Sequence, residues 1–142
     1  MDTDKLVRLL NEDLETEYRS IVQYVHHIAT MKGAEFQALR EELRGHVGQE
    51  LTHAMALAEQ IDFLGGTPSV SVSDVAAPSD TRAALEADLD LERSQLARYR
   101  ERVTQAEDLG LGDVAEALSP LLEQTQDHVR ELQKALGDPA DG

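Results

Sequence analysis

The sequence predicts an all-α protein, a four-helix bundle with a long crossover between its second and third helices. Apolar residues recur in steps of three and four along four long segments, which is the spacing of one helix face turned toward a core. Glycines separate the segments within each pair, whereas a longer stretch with Pro and Ser separates the two pairs. The 142 residues suffice for a single domain with a substantial core.

The first predicted helix covers about residues 3–32, and the second covers about residues 35–64. Thr3 is a suitable N-cap for the first helix, and Gly33 breaks the chain so that a tight turn reverses it. The second helix should end at the glycine pair that follows it, because glycine readily adopts the conformation that ends a helix. The two helices should therefore form an antiparallel hairpin.

Residues 65–79 form the predicted crossover. A helix of ~30 residues is ~45 Å long at the usual rise per residue. Fifteen extended residues reach ~50 Å. The segment can therefore run the length of the bundle, so the second and third helices should be parallel. This connectivity is ferritin-like.

The third helix should cover about residues 79–109, with a cap at one of its first two residues, and the fourth about residues 113–136. Pro120 falls inside the fourth helix. Either the helix kinks there, or Ser119 caps a new helix with Pro120 at its first position. Residues 137–142 should form a frayed tail.

Polar side chains interrupt each of the four apolar faces near its middle. Unpaired charge is costly to bury, so such groups do not collect in a core by accident. Carboxylates and imidazoles that converge at one level of a helix bundle are typical of sites for hard or borderline metal ions. The interrupting residues are Glu17 in the first helix, His46, Glu50 and His53 in the second, Glu92 in the third, and Thr125 and His128 in the fourth.

The spacing of these residues repeats in the two hairpins. Glu50 follows Glu17 by 33 residues and His53 follows it by 36, and a Thr and a His follow Glu92 at the same two distances. Residues three apart share a helix face, so Glu50 and His53 can hold the same ion. The alternative is a metal-free hydrogen-bond network, for which these Leu- and Val-rich faces offer no partners. The predicted metal ligands are Glu17, Glu50, His53, Glu92 and His128.

Further polar residues lie close to these faces. His46, one turn before Glu50, is either an extra ligand or a hydrogen-bond partner of a ligand. Tyr24 and Tyr99 each follow a predicted ligand by seven residues. They either hydrogen-bond a metal-bound carboxylate, donate an electron, or only pack in the core. His27 approaches only the edge of the first face.

Fe, Mn and Zn all accept a set of Glu and His ligands, so the sequence leaves the identity of the metal open.

The composition limits the partners. With 28 acidic and 13 basic residues the formal net charge is −15, which argues against nucleic acid and anionic membrane surfaces. The acidity serves solubility or gathers cations. There is no cysteine, which excludes disulfides and thiolate metal sites. No apolar run is long enough for a secretion signal or a membrane span, so we expect a cytoplasmic protein.

The first helix is also apolar outside its core face. Leu9, Val22, Val25 and Ala29 lie off that face. A homodimer through the first two helices, or a larger homo-oligomer, would bury them. We therefore expect the chain to associate with copies of itself.

On these residues the chain resembles the ferritin-like superfamily, and within it bacterioferritin most closely. The matching segments are ETEYRSIVQY around Glu17, QELTHAMALAEQIDFLGGTP around Glu50 and His53, and ADLDLERSQLARYRERV around Glu92. The resemblance covers nearly the whole chain through Leu136. It implies oxidation of Fe(II) by O2 or peroxide, followed in cage-forming members by storage as ferric mineral.

The resemblance also implies an assignment of the ligands to two iron sites. By it, Glu17, Glu50 and His53 hold one ion, and Glu50 bridges to a second ion that is held by Glu92 and His128. The same five residues would be the catalytic ones.

Two departures from the family pattern change these expectations. The family has a second bridging Glu three residues before the last His, where this chain has Thr125. A neutral hydroxyl is a poor ligand, so the second iron site should be weaker. Bacterioferritin places its haem-ligating Met directly after the Glu of the second helix, whereas this chain has Leu51 there. We therefore expect no haem.

Two classes of function are compatible with this pattern. The first is a ferroxidase-type oxidoreductase that consumes O2 or peroxide. The second is a non-catalytic metal-binding or structural protein whose second site is incomplete. A rubrerythrin-like peroxidase is disfavoured, because the Cys-rich module that would supply its electrons is missing.

Overall fold

The computed structural model describes residues 1–137, so residues 138–142 of the predicted tail lie outside the described part. Its elements are α1 (Thr3–Thr30), a short 3-10 turn (Ala34–Phe36), α2 (Gln37–Phe63), α3 (Thr81–Asp108) and α4 (Gly112–Leu136). Residues 1–137 contain no strand, which confirms the all-α class. Within the same range, none of the helices combines the length and the apolarity needed to cross a bilayer.

Aspartates cap two of the helices. Asp2 caps α1 by accepting a hydrogen bond from the backbone N of Lys5 at 2.8 Å. The prediction of Thr3 as the cap is therefore wrong by one residue, since α1 already begins there. Asp80 caps α3 in the same way through the backbone N of Ala83 at 2.9 Å. A carboxylate suits this position because it satisfies a free N–H and faces the positive end of the helix dipole.

The fourth helix runs through Pro120 without a break. α4 is continuous over its whole length, so no new helix begins at Ser119, whose hydroxyl donates to the carbonyl of Ala115 at 3.1 Å. Pro120 removes one N–H, which would have bonded the carbonyl of Glu116. Both residues are exposed, so this gap in the hydrogen-bond ladder faces solvent and the helix tolerates it.

The contacts between the helices define the topology of the bundle. α1 packs on α2 and α3, and α4 packs on the same two helices. Arg40 bonds the carbonyl of Met31 at one end of the first hairpin, whereas Gly66 lies beside Val7 at the other end, so α1 and α2 are antiparallel. α1 is also antiparallel to α3, as the side-chain pairs between them show below. It follows that α2 and α3 are parallel, as predicted.

The crossover runs along α1. The Asn11 side chain donates to the carbonyl of Thr67 at 3.1 Å. Further along, the backbone N of Ala76 donates to the Gln23 side chain at 3.1 Å. These two contacts are twelve residues apart on α1 and nine apart on the crossover. The segment therefore returns the chain to the far end of the bundle, which is what a parallel α2–α3 pair requires.

The apolar core consists of two clusters at the two ends of the bundle. Leucines dominate both, and burying each stabilises the fold by about 1.5–3 kcal/mol. One cluster includes Leu10, Leu14, Leu57, Ile61 and Leu118. The other includes Leu39, Leu43, Leu85, Leu89 and Leu132. Along every helix the polar residues singled out in the sequence lie between the two clusters.

Candidate metal centre

The five predicted ligands meet in the middle of the bundle, between the two apolar clusters. Each of their side chains is at most 2% exposed to solvent. Every helix supplies at least one of them, because each apolar face turns polar at the same level. The ligands are Glu17 from α1, Glu50 and His53 from α2, Glu92 from α3 and His128 from α4.

Their ligand atoms form two groups that share Glu50. Glu17, Glu50 and His53 form one group, and Glu50, Glu92 and His128 form the other. Within each group, one oxygen or nitrogen of every residue lies within 4.8 Å of the others. Each group can therefore surround one cation.

Glu50 turns a different oxygen toward each group. Its Oε2 lies 3.5 Å from Nδ1 of His53, and its Oε1 lies 3.1 Å from Nδ1 of His128. The two imidazoles in turn face their own carboxylates. Nδ1 of His53 is 3.6 Å from Oε1 of Glu17, and Nδ1 of His128 is 3.4 Å from Oε1 of Glu92. This is the arrangement that a carboxylate bridging two ions requires.

Two glutamines hydrogen-bond the imidazoles of His53 and His128 at Nε2. Nε2 of His53 lies 2.7 Å from Oε1 of Gln124, and Nε2 of His128 lies 2.5 Å from Oε1 of Gln49. An amide oxygen only accepts, so each Nε2 donates its proton and the Nδ1 of the neutral ring keeps a lone pair. Both lone pairs face carboxylate oxygens, which is favourable only when a proton or a cation lies between them.

Two tyrosines donate to the outer carboxylates. The Tyr99 hydroxyl donates to Oε1 of Glu17, and the Tyr24 hydroxyl donates to Oε1 of Glu92 at 2.9 Å. Burial, together with the nearby carboxylates, raises the pKa of both tyrosines well above the ordinary value. Both therefore stay protonated and act as donors. Of the alternatives considered for these tyrosines, the geometry shows the hydrogen bond to a carboxylate.

The pKa values of Glu50 and Glu92 are shifted in opposite directions. Burial raises the pKa of Glu50 well above its ordinary value, and the charges of Glu17 and Glu92 add to the rise. Burial also acts to raise the pKa of Glu92, but hydrogen bonds from Glu50, His128 and Tyr24 outweigh it and lower that pKa. A proton on Glu50 therefore offsets charge that a cation would otherwise offset.

The pKa of His53 also shows that the centre favours positive charge. Burial acts to lower it, but the neighbouring Glu17 carboxylate outweighs burial and raises the pKa above its ordinary value. The pocket thus draws positive charge to Nδ1 of His53. A metal ion at this position would take the place of the proton.

Three buried polar atoms support a cation at this level. Within residues 1–137, Oε2 of Glu17, Nδ1 of His53 and Oγ1 of Thr125 have no hydrogen-bond partner. Buried polar atoms are almost always paired, so three unpaired ones at one level need a cause. The Glu and His donors fit iron, manganese and zinc alike.

The two hairpins are related by an offset of 75 residues. The contacts cross between them, because the tyrosine and the glutamine of each hairpin bond a ligand from the other. The equivalent pairs are Glu17 and Glu92, Tyr24 and Tyr99, Gln49 and Gln124, Glu50 and Thr125, and His53 and His128. Thr125 is 1% exposed and takes the position equivalent to Glu50, so the centre holds three carboxylates.

His46 does not belong to either ligand group. Its ring stacks on that of His128, with ring centroids 3.9 Å apart, and its Nε2 pairs with Glu131. Burial lowers the pKa of His46, and the neighbouring His128 lowers it further. The neutral ring therefore packs against a predicted ligand, and the geometry favours this role over that of an extra ligand.

Sequence reasoning missed a buried ion pair and a buried hydrogen-bonded pair beside the centre. Asp13 binds Arg102 through both oxygens, at 2.8 and 3.2 Å. Asp88 binds Nδ1 of His27 at 2.9 and 3.0 Å. Burial raises the pKa of Asp13 to about 7, although the Arg102 guanidinium acts to lower it. The two pairs close the α1–α3 interface on either side of the carboxylates.

A signal for these pairs is present in the sequence. Asp13 precedes Glu17 by four residues, and Asp88 precedes Glu92 by four, so each lies one turn away on the same helix face. Their partners also keep the 75-residue offset, since His27 and Arg102 are equivalent positions. The hydrogen-bonding glutamines are harder to find, because exposed glutamines are common on helices.

Comparison with known proteins finds similar chains over nearly the whole sequence. A protein-family model described as a ferritin-like domain matches residues 7–140. A bacterial ferritin of Pseudomonas aeruginosa is 31% identical over 136 residues, which are 94% of this chain and 87% of the relative. A bacterioferritin of Mycobacterium leprae is 26% identical over 132 residues, which are 92% of this chain and 83% of the relative.

A solved structure is also similar to this chain. It is a crystal structure from Bacillus anthracis str. Ames, described as that of ferritin-like, diiron-carboxylate proteins. It is similar with a TM-score of 0.90 at 33% sequence identity, and the match covers 96% of this chain and 99% of that one.

Proposed function

The chain belongs to the ferritin-like domain family, and on this premise we propose that it binds iron at the buried centre and oxidises Fe(II) with O2 or peroxide. The family match spans residues 7–140 and agrees with the resemblance drawn from the sequence. Fe(II) is the substrate of this reaction. Storage of the oxidised iron is part of the proposal, since the relatives include a bacterial ferritin and a bacterioferritin and the resemblance implies storage in cage-forming members.

The position of Glu50 is the observation that carries the proposal. One carboxylate faces two imidazoles, and each imidazole has its own outer carboxylate. A donor set of this kind holds two ions close together, and the shared carboxylate reduces the repulsion between them. Carboxylate and imidazole ligands also accept iron readily.

The chemistry of the reaction needs two neighbouring ions. Two Fe(II) ions supply two electrons, which with two protons from solvent reduce O2 to hydrogen peroxide, or hydrogen peroxide to water. The chain's own part is to hold the outer carboxylates in place through Tyr24 and Tyr99, and to orient both imidazoles through the two glutamines so that each Nδ1 faces the carboxylates. The apolar clusters above and below keep bulk water out.

A second candidate function is non-catalytic metal binding. Thr125 favours it, because a hydroxyl replaces the carboxylate that the 75-residue offset would place opposite Glu50. The ion held by Glu92 and His128 would then have Glu92 as its outer carboxylate ligand, together with one oxygen of the bridging Glu50. Loose binding of that ion would leave a centre that binds one metal firmly and turns over slowly.

We also propose that the chain forms a homodimer, or a larger homo-oligomer, through the outer faces of α1 and α2. Val22, Val25, Leu51 and Met55 are 45–59% exposed on these helices. A groove of about 460 Å³ lies beside them, lined by Val25, Ile28, Ala29, Arg44 and Val47. A second copy would bury this apolar surface, which a monomer leaves in contact with water.

Aerobic Fe(II) oxidation by the metal-free protein, followed by oxygen consumption, tests the proposed reaction. We expect a fast phase that is complete at two Fe(II) per chain and absent in Glu50→Ala. Glu123→Ala removes an exposed carboxylate of α4 and should behave like the wild type. Firm binding of one metal ion without a fast phase would instead support the non-catalytic function.

A further inference from the structure

The two hairpins differ at the position three residues after their first carboxylate. Gln95 follows Glu92 by three residues, whereas Ser20 follows Glu17 by three. Both side chains are 2% exposed. Gln95 reaches across the bundle and its Nε2 donates to Oε1 of Glu17 at 2.9 Å. Ser20 is too short for the equivalent reach and makes no such bond with Glu92 in the described part of the chain.

Glu17 is consequently held by two donors through one of its oxygens. Its Oε1 accepts from Gln95 and from the Tyr99 hydroxyl. Nε2 of Gln95 also lies 3.2 Å from the Tyr99 oxygen and 3.4 Å from the carbonyl of Asp13, whereas its Oε1 has no hydrogen-bond partner within residues 1–137. Oε2 of Glu17 is buried and unpaired within residues 1–137. The two hydrogen bonds to Oε1, which lies 3.6 Å from Nδ1 of His53, therefore fix the carboxylate beside this imidazole and leave Oε2 without a donor.

Glu92 has no equivalent amide donor. Its Oε1 accepts a hydrogen bond from the Tyr24 hydroxyl at 2.9 Å and lies 3.4 Å from Nδ1 of His128. Its hydrogen bonds with Glu50 and His128 are made within the ligand set. Within residues 1–137, Glu92 therefore has one donor from outside the ligand set, whereas Glu17 has two.

We propose that Gln95 is a positioning residue, which holds Glu17 through a second donor from outside the ligand set and so makes the Glu17 site the tighter of the two. The inference rests on the proposed metal binding and adds a cause of inequality that is separate from Thr125. Thr125 removes charge on the Glu50–Glu92 side, whereas Gln95 pre-organises the Glu17 side. Pre-organisation strengthens binding because the ligand loses less freedom when the ion arrives.

Co(II) binding to single-site variants tests the role of Gln95. His128→Ala leaves the Glu17 site, and His53→Ala leaves the Glu92 site. Loss of a group that orients a metal ligand weakens binding about 10–100-fold. In Gln95→Leu we expect a loss of that size at the Glu17 site and unchanged affinity at the Glu92 site. Ser20→Ala, the equivalent change in the other hairpin, should leave both affinities unchanged.

Tyrosine variants give a second, crossed readout that keeps the packing of the core. Tyr99→Phe should weaken the Glu17 site, and Tyr24→Phe should weaken the Glu92 site, although Tyr24 shares its helix with Glu17. The visible absorption of bound Co(II) should also change in Gln95→Leu on the His128→Ala background, since a freed Glu17 can offer both oxygens. A purely structural role would not separate the two sites in this way.

The outcomes distinguish this inference from the proposed function. A wild type that binds no Co(II) at the centre would overturn both. A wild type that binds two ions, with a folded Gln95→Leu variant that weakens both sites equally or neither, would overturn only the role of Gln95. If Gln95→Leu does not fold, Gln95→Met keeps a side chain of similar length without the donor, and an unchanged affinity of the Glu17 site in that variant overturns the inference.

Discussion

Glu50 and Thr125 occupy equivalent positions in the two helix hairpins, 75 residues apart, and only Glu50 carries a carboxylate. Glu50 turns one oxygen toward His53 and the other toward His128. Thr125 is buried at the same level, and within residues 1–137 its hydroxyl has no hydrogen-bond partner. Three carboxylates thus face two candidate ion positions, one charge fewer than two divalent ions carry.

Thr125→Glu should speed Fe(II) oxidation and tighten the second site. The new carboxylate restores the doubled Glu-x-x-His pattern and supplies a second bridge between the ions. Stopped-flow absorbance after mixing with Fe(II) measures the rate. Thr104→Glu adds the same charge at an exposed position of α3 and serves as the control. A wild type already as fast as Thr125→Glu would show that another group completes the site.

Glu50→Ala should weaken metal binding at both sites, whereas Glu17→Ala and Glu92→Ala should each weaken mainly one. The reason is that Glu50 alone belongs to both ligand groups. Calorimetric titration with Co(II) should resolve two unequal sites in the wild type. If both affinities survive in Glu50→Ala, the ligand assignment is wrong.

The melting temperature of the metal-free protein should fall as pH rises. Burial raises the pKa of Asp13 from 3.8 to about 7, so its stabilising contribution is full below 3.8 and is lost as pH rises through 7. The raised pKa values of Glu50 and His53 act in the same direction. His46 and Glu92 oppose them, because their pKa values are lowered. Differential scanning calorimetry across this range gives the sign, and a melting temperature that rises throughout would contradict it.

Saturating Co(II) should raise the melting temperature, and more so at the upper end of that pH range. The ion replaces the proton that offsets charge in the metal-free centre, so it competes less with protons as pH rises. The same calorimetric scans with and without Co(II) test this. Equal melting temperatures in the two conditions would show that the fold does not bind the ion.

Light scattering should report a species of at least twice the 15.7 kDa of one chain. Charge placed on the outer face of α1 and α2, as in Val25→Asp or Leu51→Asp, should reduce it to a monomer because an unpaired charge would be buried. Val70→Asp is the matched control, since Val70 is 92% exposed but lies on the crossover. A wild type that stays at the mass of one chain at high concentration would exclude the assembly.

The periodicity of the sequence was enough to predict the bundle. Four apolar faces with steps of three and four determine four helices, and glycines place most of their ends within about two residues of the observed ones. The length of the crossover relative to the helices predicted the parallel α2–α3 pair. Local errors came from the caps, because Asp2 and Thr3 both carry suitable side chains and adjacent positions compete for the same N–H groups.

The spacing of Glu17, Glu50 and His53, repeated from Glu92 onward, was sufficient to propose which side chains meet, because helix geometry converts a doubled spacing into a shared level. The tertiary structure alone decided how they meet. Contacts between α1, α3 and their neighbours determine which oxygen of Glu50 faces which imidazole and place each tyrosine against a carboxylate of the opposite hairpin. They also let Gln95 hold Glu17, whereas Ser20 does not reach Glu92. A helical period specifies the face of a side chain, but its hydrogen-bond partner depends on the packing distance and rotation of the helix opposite.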